Sequence, residues 1–268
     1  MTNPTNLSPE TPRPLDGPNL PHYRLRARGG VAVKLRTRVL TLVVALVAAL
    51  APVLSAAGPA AAATAPYSLR YIVLGYHKQV VARWNPCRAH TYKVNLAAVP
   101  SASKKAILAE TQTAVRLLGA KTGMSFVYKG ATAEVPRVGS YDRQSADVII
   151  AYTTPSRTNY SLAGAIVGQG GYNPGWKSTT GTAAIAKAMI VLDTPDLLRN
   201  YSPGFGPGRH RANVLLHELG HVVGLGHASS ARLLMNPYIT GYTPSGYAAG
   251  DTTGLAAVGR RAGCIAGW

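Results

Sequence analysis

The stretch HELGHVVGLGH, residues 217–227, decides how this chain is read. His217 and His221 stand four residues apart, so on a helix both imidazoles leave the same face about one turn apart and two nitrogens meet one metal ion. Glu218 lies between them at a neighbouring angle, where a carboxylate reaches water at the metal without being a ligand. Gly224 follows, a residue type that turns left-handed at no steric cost and ends the helix. His227 then swings back toward the same point. Upstream, Val214, Leu215, Leu219 and Val222 recur at helical spacing and predict a helix over 211–223.

Three neutral imidazoles leave one position of a tetrahedral Zn²⁺ for water, the arrangement of a catalytic site rather than a structural one. Such an ion lowers the pKa of its water toward neutrality and polarises a carbonyl. Glu218 is read as the general base that takes the proton of the metal-bound water and passes it to the leaving amine. The reaction class predicted from these residues is metal-assisted amide hydrolysis.

Working outward, YIVLGY (71–76), HTYKVNL (90–96), SFVYKG (125–130), DVIIAY (147–152) and AMIVLD (188–193) read as strands. Pro100 and Ser101 open a helix whose apolar positions Ala106, Ile107, Ala114, Leu117 and Leu118 keep helical spacing, with stop signals at Gly119 and Gly123. The Gly-rich, aromatic stretch from Ser161 to Trp176 suggests an exposed edge strand around 163–168. With no internal repeat and no long linker after Tyr67, about 200 residues form one mixed α/β or α+β domain, assigned to 66–268.

Residues 1–30 are rich in Pro, Asn, Thr and Arg without apolar period and are read as a disordered leader, with Val31 or Val33 as alternative starts. Residues 31–65 have the pattern of a secretory signal peptide: Lys34, Arg36 and Arg38, an apolar run of 16 residues from Val39 to Leu54, then SAAGPAAAATA. The run is shorter than the roughly 20 residues of a stable span, so no membrane span is expected after cleavage. Ala57 and Ala62 both precede acceptable cleavage sites.

The chain has 28 Lys and Arg against 10 Asp and Glu. Beyond residue 64 the balance is 21 basic to 8 acidic, a net +13 on the exported part. Outside the cell such charge suits anionic wall polymers or acidic substrates as well as plain solubility. The basic residues are scattered rather than clustered with aromatics, which argues against nucleic acid. A monomer is expected. Cys87 and Cys264, the only cysteines, lie in the exported part, where an even count in an oxidising compartment argues for one disulfide.

HELGHVVGLGH followed by LLMNPY, with Met235, resembles the long zinc signature and Met-turn of the metzincin metallopeptidases, and the chain looks like a matrixin-type member of the secreted bacterial kind. RWNPC (83–87), the helix near 101–118 and the strands SFVYKG, ADVIIAY and AMIVLD keep the order of such domains. The resemblance implies a metzincin-type zincin fold: a twisted, mostly parallel sheet with an antiparallel edge strand, an active-site helix, and a C-terminal helix over 251–258. It implies His217, His221 and His227 as ligands of one catalytic zinc, Glu218 as base, and Met235 beneath the metal. The edge strand would pair with a protein or peptide substrate, and the segment 238–247, with Ile239, Tyr242 and Pro244, would wall an apolar pocket.

There are departures from the pattern. No Cys precedes Cys87, which leaves cysteine latency unsupported, and no His or Asp lies between Tyr152 and Ala163, so no second zinc is expected. Tyr238 stands three residues after Met235, not two, and is read as a packed aromatic rather than a metal-switching group. Asp193 and Asp196 are read as capping carboxylates, with Ca²⁺ held by them and backbone carbonyls as the other reading. The rival to an exported zinc endopeptidase is an exported basic binding module on a catalytically silent metzincin scaffold, holding wall polymers or a protein partner.

Overall fold

Two runs of apolar residues, VIIAYT and TAAIAKAMIVLD, lie side by side at the centre of a sheet and are buried on both faces. That is the composition of central strands covered from both sides. The computed structural model describes residues 67–73, 79–162, 164, 166–177 and 182–268. The leader (1–30) and the signal segment (31–65) lie outside the described residues, as do 74–76 of the first expected strand.

In chain order the elements are β1 (Ser68–Leu69), β2 (Tyr71–Val73), β3 (Gln79–Arg83), β4 (Ala89–Asn95), α1 (Ser101–Thr122), β5 (Ser125–Ala131), β6 (Val148–Thr153), β7 (Gly168–Lys177) and β8 (Thr182–Asp193). Then follow α2 (Thr194–Asn200), α3 (Arg211–Val222), β9 (Leu225–Gly226) and α4 (Ala249–Val258). Strands β5, β4, β6 and β8 pair in parallel in that order, and β7 closes the far side of β8 antiparallel. The hairpin β2–β3 joins the start of β8 through β3, again parallel. Strand β1 pairs antiparallel with β9 in a separate two-stranded sheet. The mixed α/β, metzincin-type arrangement expected from the sequence is therefore present: mostly parallel, with an antiparallel edge, an internal helix and a closing helix.

One expectation is corrected. The edge strand runs over Gly168–Lys177, beginning where the expected one (163–168) ended. Residues 163 and 165 lie outside the described residues, and Leu162, Gly164, Ile166 and Val167 are not in a strand.

Alternation along the central strands separates two cores. Val148, Ile150, Tyr152, Ala188, Ile190 and Leu192 face α1 and α3, whose Ala114, Leu118, Leu215 and Leu219 complete the main core. Ala151, Met189 and Val191 face the other way, against Leu162 and Ile166. Helix α1 ends at Gly123, left-handed at φ 68°, whose N–H donates to Gly119 O at 2.8 Å.

RWNPC serves as a clasp for the C-terminal tail. Arg83 donates to Gly263 O (2.8 Å), Asn85 Nδ2 to Trp268 O (2.6 Å) and the Trp84 indole to Val222 O (2.9 Å) at the end of α3. The disulfide Cys87–Cys264 ties the same two segments, with Cα atoms 5.5 Å apart.

Candidate metal centre

Helix α3 is buried from Ala212 through Val222. Its Val214, Leu215, Leu216, Leu219 and Val222 belong to the main core, and His217, Glu218 and His221 are each fully buried as well. Such groups persist in a core only when bonded, charged against a partner or ligated.

The helix stops at Val223, and Gly224 takes φ 108°, with its N–H on His221 O at 3.0 Å. A side chain there would run into the backbone of Ala82 on β3, so conformation and space both demand glycine. The turn sends β9 back past the helix and delivers His227. Its Nε2 lies 3.2 Å from His221 Nε2, which lies 3.0 Å from His217 Nε2.

Hydrogen bonds at the other ring nitrogens fix what those Nε2 atoms are. His217 Nδ1 donates to Leu234 O and His221 Nδ1 to Leu225 O, each at 2.8 Å. Backbone carbonyls accept only, so both Nδ1 atoms carry protons and, in the neutral rings, both Nε2 atoms present lone pairs. Two lone pairs at 3.0 Å repel unless a cation lies between them, and three imidazole nitrogens with outer carbonyls suit zinc. The donor set fits the metal the sequence implies.

The carboxylate of Glu218 lies where β7 crosses α3. A side chain at Gly168 would stand 2.9 Å from Glu218 Oε1, and one at Gly170 would stand 3.1 Å from Oε2 and 2.5 Å from the Glu218 backbone oxygen. The glycines of the edge strand thus let helix and strand approach closely around the proposed base. Met235 packs its sulfur against α3 at Gly220. The turn carrying it is held by Asp251, fully buried, whose oxygens accept from Leu234 N (2.8 Å), Met235 N (3.1 Å) and Ala248 N (2.9 Å). Burial pushes its carboxyl above the usual range, and the three N–H donors pull it back.

Sequence reasoning did not assign Asp251, nor Tyr247, whose hydroxyl donates to Leu216 O (2.7 Å), nor the pairing of β1 with β9. A lone carboxylate at the head of the closing helix was the one visible signal. Asp193 caps α2 by accepting from Asp196 N (3.3 Å), and Asp196 accepts from Asn200 Nδ2 (2.6 Å), in keeping with the capping reading. Two expectations need correction. Tyr238, expected to pack inside, is 41% exposed, and Tyr242, expected in a pocket wall, is 77% exposed. Ile239 is buried in the main core, while Pro244 lines a small hollow with Leu117, Leu216 and Tyr247.

The parallel sheet with its antiparallel edge, the buried helix α3 and the closing helix α4 define a metzincin-type fold. The matrixin peptidase family model matches residues 186–257, from within β8 almost to the end of α4, and that match supports a matrixin-like metzincin. No curated protein of similar sequence is found. The match supports a metallopeptidase and implies zinc, for which the described residues supply the group His217, His221 and His227. Among the described residues no helix is long and apolar enough to cross a membrane.

Proposed function

We propose that the chain is an exported zinc endopeptidase. The observation that carries this reading is the convergence of three Nε2 atoms, two of them with tautomers set by backbone carbonyls. His217, His221 and His227 hold the ion. When bound, zinc supplies a Lewis acid that polarises the scissile carbonyl and acidifies water.

The remaining steps belong to the chain. Glu218 accepts a proton from the attacking water and hands it to the leaving amine. Its position between α3 and the glycines of β7 keeps bulk solvent from the carboxylate, which is fully buried. Among the described residues β7 pairs only with β8, and its other side pairs with an extended peptide as an added strand.

The test pairs zinc content with cleavage of an unfolded protein, with and without chelator, beside Glu218→Ala. The expected result is one zinc per chain in both proteins, cleavage by the wild type alone, and a loss of at least ~100-fold in the variant, the range of general-base contributions. Zinc binding without cleavage by the wild type refutes the peptidase and leaves the silent binding module, which nothing among the described residues favours. Absence of zinc overturns the site.

Export rests on the signal-like segment 31–65, and the Cys87–Cys264 disulfide fits an oxidising compartment. N-terminal sequencing of the secreted protein is expected to begin after Ala57 or Ala62. Retention of residues before Val39 excludes that processing.

A further inference from the structure

We infer that Asp251 is a positioning residue for the metal centre, acting on His217 through one shared peptide group. This inference rests on the reading of His217 as a metal ligand. The amide joining Leu234 to Met235 has its N–H on Asp251 Oδ1 (3.1 Å) and its carbonyl on the Nδ1–H of His217 (2.8 Å). Carboxylate, amide and imidazole thus form one chain of hydrogen bonds running from α4 to α3. The two oxygens of Asp251 receive three N–H bonds, the pattern of an ionised carboxylate.

A negative charge at the N–H end of an amide polarises it and makes its carbonyl a stronger acceptor. Leu234 O therefore grips His217 harder and raises the basicity of its Nε2, as a directly bonded carboxylate does for a metal-bound histidine. His221 supplies the internal contrast. Its Nδ1 bonds Leu225 O at the same 2.8 Å, and that carbonyl belongs to the β9 turn, away from the Asp251 bonds. The two Nδ1–H bonds are equally long, and the amide bonded to His217 is the one that Asp251 polarises.

The test compares wild type, Asp251→Asn and His217→Ala for zinc affinity by chelator competition, with thermal unfolding of the metal-free forms as a measure of folding. Asp251→Asn keeps the size of the side chain and removes its charge; a folded variant is expected to bind zinc about 10- to 100-fold more weakly, the range for outer-shell partners. A folded Asp251→Asn with wild-type affinity overturns the inference while leaving the metal site intact. If His217→Ala also binds zinc like the wild type, the ligand assignment itself is wrong.

Should the asparagine variant not fold, the zinc-loaded wild type answers alone. In ¹⁵N-labelled protein the Nδ1–H proton of His217 is expected further downfield than that of His221 and slower to exchange. Equal shifts and exchange rates for the two overturn the inference.

Discussion

His90 lies between Trp84 and Phe126, with ring centroids 4.5 and 5.7 Å away, and its Nε2–H donates to Asn85 O at 3.0 Å. The side chain is fully buried. Burial, helped by the Arg88 cation and opposed by the Asn85 carbonyl and Asp147, pulls its pKa from 6.5 down to about 4. The fold therefore favours the neutral ring, so this contribution to stability is complete above pH 6.5 and is lost as the pH falls toward 4. Over that window the loss is about 3 kcal/mol, at about 1.4 kcal/mol per pKa unit. Urea unfolding of the metal-free protein is expected to show this slope, and His90→Phe to lose that part of it; equal slopes in the two proteins remove the assignment. The same scale shows what sequence makes legible. His217, Glu218 and His221 could be read because a four-residue spacing on a helix is local geometry, and His227 because a glycine turn is local too. The contacts of Glu218 with Gly168 and Gly170, and of Asp251 with the Leu234–Met235 amide, join residues far apart in the chain and leave no trace in spacing.

Between elements, a polar link inside the main core joins helix α1 to strand β6. The hydroxyls of Thr111 and Tyr152 lie 2.9 Å apart, and Thr111 also donates to Ile107 O at 2.7 Å. With that proton committed, Tyr152 donates to Thr111, and burial pushes the phenol above its usual range. Thr111→Val strands the buried tyrosine hydroxyl and is expected to cost about 1–3 kcal/mol in urea unfolding, whereas Thr111→Val with Tyr152→Phe recovers much of it. A double variant no better than the single one sinks the pairing. The helix itself was readable from its apolar period, and so were most strands. Strand β7 was misplaced for a physical reason. Pro174 and a run of glycines resemble a turn, yet an edge strand tolerates proline, and the register shifts on both sides of Pro174 show the bulge that admits it. The short β1–β9 pair was invisible because it depends on where the Gly224 turn carries the chain.

At the scale of the molecule, the two ends of the described domain meet. Arg83, Asn85 and Cys87 on one side hold residues 262–268 on the other by hydrogen bonds and by the one disulfide. The cysteine pair was legible from count and compartment, whereas the clasp around it was not, because RWNPC has no local pattern that announces its partner. The bridge spans a sequence separation of 177, and restricting so long a loop in the unfolded chain is worth about 5 kcal/mol in the chain-entropy model. The hydrogen bonds of Arg83 and Asn85 act in the folded state and persist without the bridge, so they do not replace that entropic contribution. Replacing both cysteines with serine is thus expected to lower stability by about 2–5 kcal/mol, and the melting temperature by about 2–4 °C for each kcal/mol in a domain of this size. Differential scanning calorimetry of the two proteins, with the wild type also measured under reductant, decides the matter. The reduced wild type should melt with the serine variant. If all three melt together, the clasp alone holds the tail and the disulfide adds nothing to the fold.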